Sequence, residues 1–242
     1  MTLQKCIFPG LAAAFLTIVA AGQGLAQQGD PRLFQQPSTN AVPGSAPDAA
    51  NAGTGWTGQS GASGNPLMTA DAIRAAAADF GNCIERLWPD AARRGVSRAT
   101  FERFARGLTP DLSIMDKLDA QPEFTKATWD YLDVLVSDER IARGREVLAQ
   151  YAPTFAAVAR AYGGDPAIIA AIWGVESNYG TLGGDRPVIR STATLACVGR
   201  RQDYFREEFL ATLEILQRGD VPAERLVGSW AGAFGPTQFM PS

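Results

Sequence analysis

The chain has 242 residues, a formal net charge of −3 at pH 7 and 46% hydrophobic residues. This length can supply one or two globular domains with a buried core, and the mild acidity offers no polybasic patch for nucleic acid. The sequence contains no histidine, which excludes Ser-His-Asp hydrolases, Cys-His proteases and HExxH zinc sites. Acid or base catalysis must therefore come from carboxylates, lysine, tyrosine or cysteine.

The N-terminal segment has the pattern of an export signal. Lys5 precedes an apolar stretch over residues 7–21, and Gly24 and Ala26 are small residues at the positions that a signal peptidase recognises. The alternative is a retained membrane anchor, but the apolar stretch is shorter than the roughly 20 residues that span a bilayer. The sequence therefore predicts a signal peptide over residues 1–26 and a periplasmic protein.

Residues 27–66 are rich in Gly, Ser, Pro, Asn, Gln and Ala, with Phe34 and Trp56 as the only aromatic residues. Such a composition buries too little apolar surface to offset the entropy of ordering, so we predict a disordered linker. Removal of the signal peptide would leave two cysteines, Cys83 and Cys197. An even pair in an oxidising compartment favours a disulfide; the alternative is two buried thiols that do not meet.

Helical spacing and capping residues recur after the linker. The first helix continues to about Leu87, the second ends before a break at residues 107–110, and the last covers residues 201–218. No alternating strand is evident, so the fold is predicted to be mainly α. The predicted helices begin at Thr69 or Asp71, Ser97, Gln121, Ser137, Asp165 and Arg201.

The helix that begins at Asp165 is predicted to stop at Gly180 and contains Glu176. Glu176 follows Ile169 by seven residues and Trp173 by three, with Ile172 between them, so it shares their helix face. A carboxyl group among apolar side chains is disfavoured in its charged form, and a protonated carboxyl can act as a general acid. A solvated or Arg-paired glutamate is the alternative that this spacing leaves open.

Several longer motifs resemble the membrane-bound lytic murein transglycosylase B family, over a span from about Ile73 to Ser242. The resemblance implies a lysozyme-like catalytic domain, predicted here at residues 151–242, behind a helical domain at residues 67–150. It also implies that the catalytic domain continues past Ser242 and is incomplete in this sequence. The motifs are GVESNYG at 174–180, STATLA at 191–196, YF at 204–205, GAFGPTQFMPS at 232–242, and QPEF at 121–124 with VS at 136–137.

The same resemblance assigns roles to individual residues. Glu176 would be the sole catalytic acid and base, and the Ser229 hydroxyl would hold its carboxyl group in place. Gln238 would line the sugar cleft, and Tyr179 is a further candidate for that wall. The alternatives are a helix cap for Ser229, a surface amide for Gln238 and a core position for Tyr179.

The implied activity is that of a lytic transglycosylase, which cleaves the bond between N-acetylmuramic acid and N-acetylglucosamine and leaves 1,6-anhydro ends. The implied substrate is the peptidoglycan glycan strand, no metal or organic cofactor is required, and a monomer is expected, with cell-wall synthesis or remodelling proteins as candidate partners. One alternative is a hydrolytic muramidase of similar fold, which would need a second carboxylate. Asp185 is the nearest, but we predict a turn residue paired with Arg186. The other alternative is a non-catalytic peptidoglycan-binding or scaffold protein.

Overall fold

A computed structural model of the chain describes residues 55–58, 63–119 and 127–242. The predicted signal peptide at 1–26, most of the predicted linker and the QPEF segment at 121–124 lie outside the described residues. All described residues belong to one compact unit.

The described part of the chain is mainly helical, as predicted. Two short strands, β1 (Arg186–Pro187) and β2 (Val227–Gly228), pair antiparallel, and two residues are too few to show the alternation that marks a strand in a sequence. Single 3₁₀ turns lie at Pro66–Met68 and Ala223–Arg225. The α-helices are α1 (Ala70–Ala78), α2 (Phe80–Arg86), α3 (Trp88–Arg93), α4 (Arg98–Phe104), α5 (Ser113–Asp119), α6 (Thr128–Leu135), α7 (Asp138–Gln150), α8 (Ala152–Tyr162), α9 (Pro166–Ser177), α10 (Val188–Cys197) and α11 (Gln202–Arg218).

Four of the predicted helix N-termini are confirmed, and each is capped by a side chain. Thr69, Ser97, Ser137 and Asp165 each accept a hydrogen bond from a backbone N–H in the first turn of the helix that follows. Such caps satisfy donors that have no partner within the helix. They explain why α1, α4, α7 and α9 begin where local sequence places them.

The single helix predicted up to Leu87 is wrong, because the chain breaks it into α1 and α2, and α3 follows directly after Leu87. Asp79 leaves helical geometry with ψ near 7°, and its carboxylate accepts hydrogen bonds from Asn82 and Arg86. A side chain that bonds locally in this way competes with helix continuation. Pro89 then lies in the first turn of α3, where its missing N–H costs nothing.

Residues 55–58 and 63–66, which belong to the predicted linker, are folded. The Trp56 side chain is buried in the main core, and the Thr57 hydroxyl donates to Asp116 at 2.8 Å. The Ser63 N–H donates to Asp119 at 3.0 Å. Burial of one large indole and these bonds to α5 outweigh the disorder-prone composition, so the prediction of disorder is wrong for this stretch.

Three hydrophobic clusters organise the described helices, one of which joins the start of α10 to the end of α11. The main core is formed by α1–α5, α10 and α11, and a separate cluster of Val147, Phe155 and Ala170 joins α7, α8 and α9. The main core thus includes residues on both sides of residue 150, and the domain boundary placed there stays a prediction. Helix α10, which the sequence did not predict, is buried over residues 191–197 and packs along α11.

A disulfide bond joins Cys83 in α2 to Cys197 at the end of α10, with an S–S distance of 2.02 Å. The two cysteines are 114 residues apart in the chain. The bond therefore connects the first helices of the main core to its central helix. A cross-link across so long a loop removes much of the freedom of the unfolded chain.

We expect replacement of both cysteines by serine to lower the free energy of unfolding by about 2–5 kcal/mol. Urea unfolding of the wild type and of the Cys83→Ser, Cys197→Ser variant measures the difference. A reductant should lower the wild-type midpoint and leave that of the variant in place. An unchanged wild-type midpoint in reductant would contradict a stabilising role.

Candidate active site

Glu176 lies on the last turn of α9 and its side chain is exposed. Ile172, one turn earlier, is 44% exposed and Ile168 is 60% exposed, while Ile169 and Trp173 pack on the cluster between α7 and α9. The predicted apolar surroundings of Glu176 are therefore wrong, because none of the described elements covers this face of the helix. The Glu176 side chain has no hydrogen bond or ion pair to any described residue.

Helix α9 ends at Ser177, earlier than the predicted stop at Gly180. Asn178, Tyr179 and Gly180 all have positive φ values, of 46°, 58° and 85°. Asparagine is one of the few residues that enter the left-handed region readily, and the Asn178 N–H still donates to the Gly174 carbonyl at 3.0 Å. The chain thus turns sharply directly after Glu176 and Ser177.

Ser177 is fully buried, although it follows the exposed Glu176. Its hydroxyl donates to the carbonyl of Pro236 and accepts the Gly180 N–H at 3.0 Å. Sequence reasoning missed this residue. The available signal was a small polar side chain beside the candidate glutamate, but its partner lies 59 residues away.

Gln238 is held against the loop that follows α9. Its side-chain amide donates to the Gly183 carbonyl at 3.1 Å and to the Gly235 carbonyl at 2.8 Å. Next to it, Phe239 is 71% exposed, so Phe239 is not a core residue. The structure therefore presents an amide group and an aromatic ring together, beside the loop that leaves the Glu176 helix.

Ser229 follows β2 and forms a tight turn with Ala233. Its N–H donates to the Ala233 carbonyl at 2.7 Å, and its hydroxyl accepts the Ala233 N–H at 3.1 Å. No hydrogen bond joins Ser229 to Glu176 in the described part of the chain, so that contact stays a prediction. Ser229 is a turn residue rather than the cap of a helix.

Close backbone packing joins the loop after α9 to β2. A Cβ atom on Gly184 would lie 2.1 Å from the Gly228 carbonyl oxygen and 2.6 Å from the Ser229 nitrogen. Gly184 also has a φ of +83°, a conformation that other residues rarely adopt. Only glycine fits here, and the contact brings Ser229 beside the loop that leaves the Glu176 helix.

Arg186 pairs with Asp111 and not with Asp185, so the predicted turn pair is wrong. The Arg186 guanidinium donates to the Asp111 carboxylate and to the Ser113 hydroxyl, the latter at 2.8 Å. Asp185 is exposed and has no ion pair among the described residues. The Asp111 N–H also donates to the Thr194 hydroxyl at 2.9 Å, which ties β1 and α10 to one loop.

Several opposing effects act on the pKa of Asp111. Burial acts to raise it, but the hydrogen bond from Ser113 and the positive charges of Arg186 and Arg190 outweigh burial, so the pKa lies below its ordinary value of 3.8. The ionised carboxylate is therefore the form that the fold stabilises.

Tyr179 packs between α7 and α9. Its hydroxyl donates to the Arg140 carbonyl at 2.9 Å, its ring meets Trp173 edge-on at 6.1 Å, and burial raises its pKa. A Cβ atom on Gly144 or Gly174 would lie 2.5 or 2.6 Å from that hydroxyl, so both glycines make room for it. These contacts favour a packing role, and a place in the sugar cleft stays a prediction.

Within the described residues, no group of three or more Cys, Asp or Glu side chains could hold a metal ion. In the same part of the chain, no helix is both long and apolar enough to cross a membrane.

A family comparison assigns this arrangement to a class of protein. The family described as Transglycosylase SLT domain matches residues 79–242, which is more than half of the chain and includes α9, both strands and the C-terminal loop. The chain belongs to this family, and its fold is that of the lysozyme-like lytic transglycosylases.

Individual relatives narrow the comparison. The chain is 32% identical over 113 residues to membrane-bound lytic murein transglycosylase B of Escherichia coli K12, across 46% of this chain and 31% of that protein. It resembles the crystal structure of SltB3 from Pseudomonas aeruginosa with 42% identity and a TM-score of 0.63, across 67% of this chain and 43% of that one. SltB1 from Pseudomonas aeruginosa gives 29% identity and a TM-score of 0.59, across 67% of this chain and 54% of that one.

The chain therefore spans between about a third and about half of the length of these relatives. SltB3 has been solved in complex with NAG-NAM-pentapeptide and with NAG-anhNAM-pentapeptide.

We expect stability to fall in acid through Asp111. Its pKa is depressed by folding, so the stabilisation is fully present above the unfolded value and is lost as pH falls through the folded value. Asp111→Asn should lower the free energy of unfolding by about 1 kcal/mol at neutral pH, because the pair is partly exposed, and should flatten the loss between about pH 5 and about pH 2. Thermal unfolding across that range measures both effects.

The matched control is Asp185→Asn, which changes an exposed carboxylate in the neighbouring loop. It should follow the wild-type profile. Equal acid sensitivity in the wild type and in Asp111→Asn would contradict the assignment.

Tyr179→Phe should lower the free energy of unfolding by about 1 kcal/mol, because the hydrogen bond to the Arg140 carbonyl is lost. Urea unfolding measures the change. Tyr162→Phe, at a side chain that is 85% exposed, is the control and should have no effect. If both variants unfold like the wild type, the hydroxyl does not help to join α7 to α9.

Proposed function

We propose that the protein is a lytic transglycosylase that cleaves the β-1,4 bond between N-acetylmuramic acid and N-acetylglucosamine in peptidoglycan. The observation that carries this proposal is the exposed carboxyl group of Glu176 at the end of α9, without a hydrogen-bond partner among the described residues, beside a loop that presents Gln238 and Phe239. Family membership supports the reaction class. The SltB3 complexes with NAG-NAM-pentapeptide and NAG-anhNAM-pentapeptide support the substrate and the anhydro product.

In the proposed mechanism Glu176 acts first as acid and then as base. Its proton passes to the oxygen of the glycosidic bond as the bond to the muramyl anomeric carbon breaks, and the acetamido group of the substrate stabilises the cationic centre. The resulting carboxylate takes the proton of the muramyl 6-hydroxyl, whose oxygen bonds to the anomeric carbon. No water is consumed, and Glu176 ends protonated as it began.

The surrounding residues have proposed parts in this reaction. Ser229 would orient the Glu176 carboxyl group, Gln238 would accept a hydrogen bond from a sugar hydroxyl through its amide oxygen, and Tyr179 would support the same wall. Hydrolysis by a two-carboxylate mechanism needs a second acidic group at a defined distance from the first. Asp185 is exposed, and the conformation of its loop is explained by the close packing of Gly184 against Gly228. The mechanism with a single carboxyl group therefore fits this chain better.

We also propose where in the cell the protein acts and how its domains are connected. Residues 1–26 would direct export to the periplasm and be removed, and residues 27 to about 54 would tether a helical domain and the transglycosylase domain. Glycan strands are the substrate, and the reaction draws on no metal or organic cofactor. We expect a monomer, with cell-wall synthesis or remodelling proteins as candidate partners.

Digestion of purified sacculi, with the released muropeptides identified by mass, tests the function. The wild type should release 1,6-anhydro ends, and Glu176→Gln should lower their rate by at least about 100-fold, because the proton donor and acceptor are lost. The control is Glu224→Gln, which changes an exposed glutamate and should retain wild-type activity.

The other outcomes separate the alternatives. Reducing ends in place of anhydro ends would identify a hydrolytic muramidase. Sacculi that bind the protein but stay intact would identify a binding or scaffold protein, and equal activity in Glu176→Gln would remove Glu176 from the mechanism.

A further inference from the structure

We propose that Ser177 is a positioning residue that fixes Glu176 relative to the loop at residues 233–242. This inference rests on the proposed function and deepens it. Ser177 adjoins Glu176 along the chain, yet its side chain is fully buried while that of Glu176 is exposed. The two neighbours therefore point one group to solvent and one into the protein.

The Ser177 hydroxyl has two partners outside the regular helix. A serine hydroxyl has one proton to donate, and the Pro236 carbonyl is a closer acceptor than the Trp173 carbonyl, which lies at 3.3 Å. The oxygen also accepts the Gly180 N–H at 3.0 Å. One atom thus holds both the turn after α9 and the C-terminal loop.

This hydrogen bond is the direct connection between α9 and the loop. Among the described residues no other hydrogen bond joins α9 to residues 233–242. Gln238 bonds instead to Gly183 beyond the helix, and Ser242 bonds to the buried carboxylate of Glu208 in α11 at 2.9 and 3.0 Å. Ser177 therefore supplies the hydrogen bond by which α9 itself helps to set the distance from Glu176 to the Gln238 side of the site.

Loss of the hydroxyl should affect geometry more than stability. When the hydroxyl is removed, the Gly180 N–H keeps its hydrogen bond to the Ser177 carbonyl at 3.0 Å, and Pro236 lies in an exposed part of the loop, so we expect only a small loss of stability. A loop displacement of about 1 Å, by contrast, can lower the rate of a positioned reaction by about 100-fold. Ser177 would thus act on kcat through the placement of Glu176.

The test compares Ser177→Ala with Ser191→Ala in the full chain. Ser191 is also a buried serine, and its hydroxyl has no hydrogen-bond partner among the described residues. The two substitutions therefore remove the same buried atom, but only Ser177→Ala removes hydrogen bonds. Initial rates on sacculi at varied substrate concentration should show kcat lowered by about 10- to 100-fold in Ser177→Ala, with KM changed less than about twofold. Ser191→Ala should retain wild-type kcat.

Two further readouts separate positioning from folding. Ser177→Cys keeps a similar size and a weak S–H donor and should recover part of kcat. Hydrogen exchange should accelerate in Ser177→Ala at the amides of Phe234 and Gln238, which bond within the loop, while the amides of α10 and α11 keep wild-type protection.

Unchanged kcat in Ser177→Ala, or an equal loss in Ser191→Ala, overturns the positioning role while the proposed function stands. A wild type that releases no anhydro ends overturns the proposed function and this inference with it.

Discussion

The burial of α10 on all sides is the constraint on which the rest of the structure depends. A helix without an exposed face needs small side chains so that its neighbours can approach, and its polar groups need partners inside the protein. Its threonines meet this need by donating to the carbonyls four residues earlier, Thr192 to Val188 at 2.8 Å and Thr194 to Arg190 at 2.7 Å. Strand β1 leads directly into α10, and Cys197 at the end of α10 forms the disulfide bond to α2. The first helices and the candidate site are therefore both connected to α10.

The helices that the sequence predicted are those whose signals are local. Ser97 and Asp165 cap their own first turns, and α11 shows an amphipathic spacing because one of its faces meets solvent. Helix α10 has an amphipathic spacing as well, but no side-chain cap marks its start, and its serine and threonine residues have modest helix propensity. Its existence depends on α11 and the first helices closing around it, which a single-sequence pattern does not contain.

The features of the candidate site also fall into those that local sequence could predict and those that depend on the tertiary fold. Glu176 and Gln238 could be located from motifs, because each motif is contiguous. The environment of Glu176 could not, since exposure depends on which distant elements cover α9. Sequence proximity suggested that Asp185 pairs with Arg186, whereas the partner is Asp111, 75 residues away. A charged side chain reaches whichever partner the tertiary fold brings close, and neighbours along a tight turn often point apart.

The bonds that hold the C-terminal loop to the end of α9 join uncharged groups. The hydroxyl of Ser177 and the amide of Gln238 both donate to backbone carbonyls, and dissolved ions screen such neutral contacts little. By contrast, the Glu176 carboxyl group is exposed, and the field of an exposed charge is screened within about 10 Å at an ionic strength of 0.1 M. We therefore expect the geometry of the site to change little with ionic strength. The long-range attraction or repulsion between the site and a charged glycan strand should weaken as ionic strength rises.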